Sequence, residues 1–502
     1  MGAYEHELAV TLYPAPVENI TATPLHKSVL LEWDLHEENN VDSYIAYISE
    51  DSITFTAVDT VAGRFTGNTT LDSLTNNEDY WFYVTAVNTS DYESLPSFHT
   101  KTSPFFQGPV WYVDESAGSG GEGSPEEPVR GIQDAIDLAA AGDTVLVMPG
   151  TYDRNDDQYL YFKYTSGTLD GQPKNLVLKS RDGAATTILD GEGSKRLFEI
   201  VDGTDTTLQI IGFTVTGGGE NDGMGNAIKV EGQQTWNINT QQYEYNPSGA
   251  VFKECIFNEN GTEANPAEDP VIYLVSANVR FEDCTIENNH VLKPSYSGEG
   301  AAIWASEGSD LNIIRTKIVD NSLTAGNEAS GAGIYMSWSS DNNLIVVNSI
   351  IARNTATSGS FYNSRGAGIV VRGGTATIIN STIVENVNNS NQTEGGSGIF
   401  VSSDGSGNDT KLNVQNSIIF GNTPMDNQLH LDDWANVSHY VSYSIIQGED
   451  VNDFEDGVLD VDPDFADTTY VLHERSPAIG AGETESEDTE GDPIYAPAGD
   501  IA

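Results

Sequence analysis

The sequence predicts an all-β chain in two parts: a small antiparallel sandwich, then a solenoid of short parallel strands. Three observations carry that prediction. A small residue, followed two positions later by a bulky apolar one and five positions later by Asn, recurs six times between Cys255 and Asn422. A second phrase, Gly-x-x-Ile, precedes the later copies, with another short apolar strand between the two. Ahead of residue 103 the pattern is different, with longer alternating strands separated by turn residues.

The six copies read Cys255-Ile-Phe257-Asn-Glu-Asn260, Cys284-Thr-Ile286-Glu-Asn-Asn289, Thr316-Lys-Ile318-Val-Asp-Asn321, Ser349-Ile-Ile351-Ala-Arg-Asn354, Ser381-Thr-Ile383-Val-Glu-Asn386 and Ser417-Ile-Ile419-Phe-Gly-Asn422. They begin 29, 32, 33, 32 and 36 residues apart. A fixed internal offset with variable insertions marks a solenoid whose repeats stack on their neighbours. Each period opens on a strand such as Gly300-Ala-Ala-Ile303, Gly331-Ala-Gly-Ile334, Gly366-Ala-Gly-Ile369 or Gly396-Ser-Gly-Ile399; Gly225-Asn-Ala-Ile228 and Asp269-Pro-Val-Ile272 are looser versions. Leu311-Asn-Ile313, Leu344-Ile-Val346, Thr377-Ile-Ile379 and Leu412-Asn-Val414 supply the second strand, and the Asn phrase is the third. Within the repeats no segment sustains a 3.6-residue apolar period, which excludes a helical repeat. Three strands per turn, stacked about 4.8 Å apart, make a parallel β-helix. The repeated Asn suits the bends, because it tolerates left-handed backbone and can hydrogen-bond to its copy in the next coil. Cys255 and Cys284 fill one slot in successive coils and read as stacked, buried small residues. A coil-to-coil disulfide fits on distance alone, though parallel neighbours rarely aim their sulfurs at one another.

Residues 14–102 form the separate all-β module, preceded by a lead-in (1–13) and followed by a Pro-rich linker (103–109). Val29-Leu-Leu-Glu-Trp33, Ser43-Tyr-Ile-Ala-Tyr47 and Tyr80-Trp-Phe-Tyr-Val-Thr-Ala-Val87 are its clearest strands. Trp33, Leu74 followed six positions later by Tyr80, and Val84-Thr-Ala-Val-Asn88 resemble a fibronectin type III domain with its tyrosine corner. That resemblance implies a sandwich and says little about function, since such domains are mostly spacers.

Next come Trp111-Tyr-Val-Asp114, a Gly/Ser stretch, the amphipathic helix Ile132-Gln-Asp-Ala-Ile136-Asp-Leu-Ala139 and Gly142-Asp-Thr-Val-Leu-Val-Met-Pro-Gly150-Thr-Tyr152. A solenoid must cover its first coil, and a capping helix does so. From Pro109 to Ala502 the chain resembles the secreted right-handed parallel β-helix repeat family. The opening signature just quoted carries the likeness, with Thr187-Ile-Leu-Asp-Gly191 and a closing signature, Asp462-Pro-Asp-Phe465…Ser476-Pro-Ala-Ile479-Gly-Ala-Gly482. The expected layout within 110–502 is a cap (110–152), coils over about 175–448 and a C-terminal tail (449–502). Gly499-Asp500-Ile501-Ala502 matches the start of that family's terminal motif, and Gly2-Ala3-Tyr4-Glu5 matches its end. The chain is therefore expected to be one period of a longer tandem polypeptide, secreted or displayed at the cell surface.

Composition limits the partners. Asp and Glu number 76 against 22 Lys and Arg, a formal net charge of −54. Nucleic acid and anionic membranes are poor partners for such a chain. No apolar run is long enough to span a bilayer, and the start at Met1 does not read as a secretory leader, so the chain is expected to be an excised piece or one whose targeting signals lie elsewhere. Because the acids are spread rather than clustered, they read as a solubility device, with divalent-cation binding as the alternative. No organic cofactor is implied. For Ca2+ the candidate position is Asp460-Val-Asp462-Pro-Asp464, although part of this belongs to the closing signature. The acidic stretch from Glu483 to Glu490 reads as a solvated loop.

If the first-strand Ile points inward, the next residue points out. Those outward residues are Lys229, Tyr273, Trp304, Tyr335, Val370 and Phe400, and Arg372 follows on the same strand as Val370. An aromatic stripe of this kind can pack against sugar rings while neighbouring polar groups read hydroxyls. Alternatively, the loops that follow each Asn fold over it. Those loops bring His290, Lys293, Tyr296, Glu299, Arg365 and Glu394 towards the sheet.

Lyases on this scaffold use a Lys base with an Arg and often Ca2+. Lys229 and Arg372 lie four coils apart, about 19 Å, too far to share one reacting carbon. Hydrolases need paired carboxylates, and here Asp222 near Lys229 stands alone. Three readings remain: a non-catalytic module binding extracellular polysaccharide, a polysaccharide lyase or glycoside hydrolase, and a structural stalk of a tandem adhesin.

Overall fold

In a computed structural model of the chain, the residues described are 13–153, 160–162, 173–201, 203–220, 222–237, 242–359, 364–390, 395–403, 405, 409–425, 428–432, 436–448, 453–455, 457–482, 486–487 and 493–494. The chain divides into two compact units, Met1–Gly108 and Pro109–Ala502. The expected tandem-joint motifs (Gly2 to Glu5 and Gly499 to Ala502) and Glu394 lie outside the described residues, as does much of the Glu483 to Glu490 stretch.

The first unit is a two-sheet antiparallel sandwich. Thr21–Leu25, Ser28–Glu32 and Asn68–Asp72 make one sheet; Thr56–Ala62, Val41–Ser49, Tyr80–Asn88 and Thr100–Thr102 make the other. Alternate residues of both sheets meet in a core of Val29, Leu31, Trp33, Tyr44, Leu71, Tyr80, Phe82 and Val84. The Tyr80 hydroxyl accepts the Thr75 backbone N–H at 3.1 Å, and Leu74 packs at the core's margin. This is the tyrosine corner of a fibronectin type III-like sandwich.

The second unit coils. The strands that open each period form a nine-stranded parallel sheet running from Leu160–Phe162 to Leu429–Leu431, called here the first sheet. The second sheet carries eleven strands, including Asp310–Ile314, and the third carries ten, including Lys317–Val319. Register is kept from coil to coil. Ile303 pairs with Ile334, Ile334 with Ile369 and Ile369 with Ile399, all fully buried in one internal row. The Gly of each opening phrase has a backbone reason. At Gly331, φ is +65° and an added Cβ would lie 2.6 Å from the Ile334 carbonyl oxygen. The expected capping helix is Ile132–Leu138, which buries Ile132, Ala135 and Ile136.

Two buried polar ladders run along the axis. The side-chain amide of Asn289 donates to Asn321 (2.8 Å), Asn321 to Asn354 (3.0 Å), Asn354 to Asn386 (3.0 Å) and Asn386 to Asn422 (2.9 Å). The ladder ends on Gln428, whose Oε1 accepts from Asn422 at 2.8 Å, a terminus the repeat did not reveal. At the other end Asn260 accepts the Gly218 N–H at 2.9 Å. The second ladder passes from Thr316 through Ser349, Ser381 and Ser417 to Ser444. Each hydroxyl oxygen accepts the N–H of its counterpart one coil earlier. Cys255 and Cys284 extend this column as free, buried thiols.

The bends correct one expectation. The ladder Asn is not the left-handed residue; the residue before it is. Asn288, Asp320, Arg353 and Glu385 have φ of 53°, 57°, 55° and 53°. Turning the chain one position early aims the Asn side chain inward, where it can bond to its copy.

The post-Asn segments are also more ordered than loops. His290–Lys293, Ser322–Ala325, Thr355–Ser358 and Val387–Asn389 form a further four-stranded parallel sheet. It packs on small residues, among them Ala301, Ala332 and Ala367. The closing segment lies across the third sheet. Phe465, Tyr470 and Leu472 pack over Val319, Ala352, Val384 and Ile418, and Tyr470 bonds Arg353 and Glu385 at 2.7 Å each.

Candidate functional site

The outer row of the first sheet is continuous in register through Glu199, Lys229, Tyr273, Trp304, Tyr335, Val370, Phe400 and His430. Its exposure is not uniform. Tyr273 and Trp304 are half-buried, whereas Tyr335, Val370 and Phe400 are sealed into a cluster of their own. The expectation of a solvent-side stripe therefore fails over its C-terminal half. The segments that follow the added strands bring Glu299, on the short strand Gly298–Glu299, and Glu328 over the sheet, with Arg365 beside them. The Tyr335 hydroxyl donates to Glu299 at 2.8 Å. Arg365 and Arg372 both bind Glu328, the latter at 2.8 Å. The Arg372 guanidinium lies 4.6 Å from the Trp338 ring centroid and 5.9 Å from those of Tyr335 and Phe400. Burial pushes the Tyr335 phenol far above its ordinary range.

The half-buried pair does not offer sugar-facing ring planes. Tyr273 and Trp304 stack at 4.6 Å with 4° between planes, so each covers one face of the other. Coils spaced along one axis stack rings like coins, leaving their edges clear of one another. Those edges are polar: the Trp304 Nε1–H donates to Glu299 at 3.3 Å. The Tyr273 phenol is pushed up by its burial and then by Glu231, Asp222 and other acids nearby.

Fixed charges flank this strip. Lys229 is buried, 2.7 Å from Glu231 and 3.8 Å from Glu199. Arg196 reaches Asp222 at 2.5 Å and Glu199 at 3.7 Å, and Lys293 reaches Asp269 at 2.8 Å. Burial works against the Asp222 charge, yet the Arg196 guanidinium holds its carboxyl below the usual range. A paired Lys229 is poorly placed to act as a base, and Asp222 is committed to Arg196. Of the loop residues, His290 bonds Ser322 at 2.6 Å, while Tyr296 is exposed.

Asp460, Asp462 and Asp464 do not converge. Asp460 accepts the Gly448 N–H at 3.2 Å and Asp462 accepts the Asp464 N–H at 2.9 Å, so both serve turns. Among the described residues no three His, Cys, Asp or Glu gather to hold a metal. Four residues central to this surface were not marked in the sequence: Arg196, Glu199, Glu328 and Trp338. Glu199 holds the outward position one coil before Lys229 and Trp338 is an aromatic shortly after a first-sheet strand, whereas Arg196 and Glu328 left no readable signal.

Residues 201–383 match the family described as right handed beta helix region. The second unit is a right-handed parallel β-helix. Comparison with curated proteins finds no match. Among solved structures, a myokine is 19% identical, covering 18% of this chain and 98% of that one, with a TM-score of 0.16. An Fn3-like protein from Clostridium thermocellum is 21% identical over 18% of this chain and 93% of its own, at 0.16. A β-1,2-glucanase from Parabacteroides distasonis is 19% identical over 18% of this chain but only 14% of its own, also at 0.16. At these scores the sandwich assignment rests on its own strand order, and no activity transfers to the β-helix. Among the described residues no helix is long and apolar enough to cross a membrane.

Proposed function

We propose that this β-helix is a non-catalytic, extracellular or surface-displayed module that contacts polysaccharide along the open part of the first sheet, from Lys229 to Trp304. The observation that carries this reading is the half-buried Tyr273–Trp304 stack, whose polar edges stand between charges held in fixed ion pairs. Contact would come from hydrogen bonds to sugar hydroxyls rather than from stacking under a ring. Pre-oriented polar groups of this kind cost little conformational entropy on binding. Catalysis is disfavoured because Lys229 and Asp222 are both engaged in ion pairs.

Affinity electrophoresis through gels containing neutral polysaccharides tests the reading. Tyr273→Phe keeps the stack and removes one hydroxyl; Trp304→Phe removes the indole N–H. Retardation of the intact chain, reduced in both variants, supports the proposal. If no polysaccharide retards the chain, the stalk reading takes its place. Release of unsaturated oligosaccharides, seen as new ultraviolet absorbance, would establish a lyase instead.

A further inference from the structure

The sealed half of the first sheet holds a polar group whose donors are not all used. Arg372 is only 8% exposed, and its Nε–H finds no partner in the protein. Directly beside it on the next coil, in register, stands Ser402, 5% exposed, whose hydroxyl is also without a partner. A buried unpaired donor costs about as much as a lost hydrogen bond, and each such group in a native interior calls for an explanation. The neighbouring charges are uneven. Arg365 and Arg372 share the single carboxylate of Glu328, while Glu299 is turned towards Tyr335 and Trp304. Over the guanidinium lies Trp338, half exposed, the least enclosed of the rings around Arg372.

We propose that Arg372 and Ser402, with Arg365 beside them, form a subsite for the anionic group of an acidic sugar unit, covered by Trp338 when empty. An oxyanion there would accept from the Arg372 Nε–H and the Ser402 hydroxyl at once. Charge-assisted bonds of this kind are the stronger class of hydrogen bond. Trp338 must swing aside, and its outer half is unencumbered enough to do so. The inference rests on the polysaccharide reading above and narrows it. The edge strip at Tyr273 and Trp304 would read hydroxyls, and the Arg372 end, two coils on from Trp304, would read a carboxylate or sulfate. A guanidinium pair gives local attraction that a net charge of −54 does not cancel at physiological salt, where screening acts over about 8 Å.

The test is titration of the full chain with three oligosaccharide sets of equal length: uronate-containing, sulfated and neutral. It is read by tryptophan fluorescence and by calorimetry. The expected result is tighter binding of one acidic set, with a fluorescence change lost in Trp338→Phe. Ser402→Ala, a small change outside the coil's hydrophobic row, should weaken that set by about tenfold while leaving neutral sugars unaffected. Arg372→Lys keeps the charge but removes the Nε–H and should weaken it at least as much; if that variant misfolds, Ser402→Ala and Arg365→Gln decide. Carboxylate and sulfate are distinguished by which acidic set responds. Equal affinity for acidic and neutral sets, or acidic binding indifferent to Ser402→Ala and Arg365→Gln, overturns the subsite while leaving the edge strip intact. Binding lost only in Tyr273→Phe would do the same.

Discussion

Replacing Asn354 by Ala in mid-ladder should be among the most costly polar substitutions in the chain. The Asn354 amide donates to the Ile318 carbonyl at 2.9 Å and to Asn386 Oδ1 at 3.0 Å, and its Oδ1 accepts the Asn321 backbone N–H at 3.2 Å. Asn386 Oδ1 keeps one donor after the change, the Asn354 backbone N–H at 3.0 Å. The Ile318 carbonyl keeps the Ala352 N–H of the paired strand, but the Asn321 N–H loses its acceptor, in a fully buried column. At about 1–3 kcal/mol for the orphaned N–H and about 1 kcal/mol for the hydrogen bond lost at the Ile318 carbonyl, the expected loss is about 2–4 kcal/mol. Stacked repeats can open coil by coil, so a single global transition is not assured. Urea denaturation should therefore be paired with amide hydrogen exchange, in which protection should fall first in the coils containing Asn321, Asn354 and Asn386. The control is Asn389→Ala, an exposed Asn whose contact with Thr357 is 3.4 Å, expected to cost no more than about 0.5 kcal/mol. If both variants lose the same small amount, the ladder is not the axial support inferred here.

Tyr335→Ala should destabilise the β-helix by about 3–5 kcal/mol, as removal of a fully buried aromatic does. A variant that melts like the intact chain but loses only glycan retention would show the ring to be exposed. Asp222 has a lowered folded-state pKa, so its contribution to stability is present above its unfolded value, near 3.9, and is lost as pH falls through the lower folded one. Stability measured by urea at pH 5 down to 3 should fall less steeply for Asp222→Asn; an unchanged slope would dismiss the Arg196 pairing as a contributor. Cys255 and Cys284, both buried, should react with a thiol reagent only on unfolding. Prompt labelling of the native chain would contradict their placement.

Much of the fold was legible because a solenoid writes one local rule many times. The internal Ile row, the Asn ladder and the small-residue column each follow from residues at one offset, and the structure keeps all three in register. What escaped lies where the rule is broken or supplied from elsewhere. The left-handed position falls on Asn288, Asp320, Arg353 and Glu385, four unlike side chains, so no residue type announced it. The added four-stranded sheet is built from short segments such as Thr355–Ser358, whose small residues read as loop. The sealing of Tyr335 depends on Glu299, 36 positions away, and on the guanidinium of Arg372 packed against its ring. Outward direction could be read from alternation; exposure could not, because it depends on what a neighbouring coil lays on top.

Hydroxyl-radical footprinting of the full chain, with and without the polysaccharide that retards it most, reads the proposed surface directly. Protection is expected at Tyr273, Trp304 and Lys293, with the outer face of the second sheet unchanged. Protection confined to the second sheet or to the sandwich, with Tyr273 and Trp304 labelled equally in both states, would contradict the assignment of the first sheet as the polysaccharide-facing side.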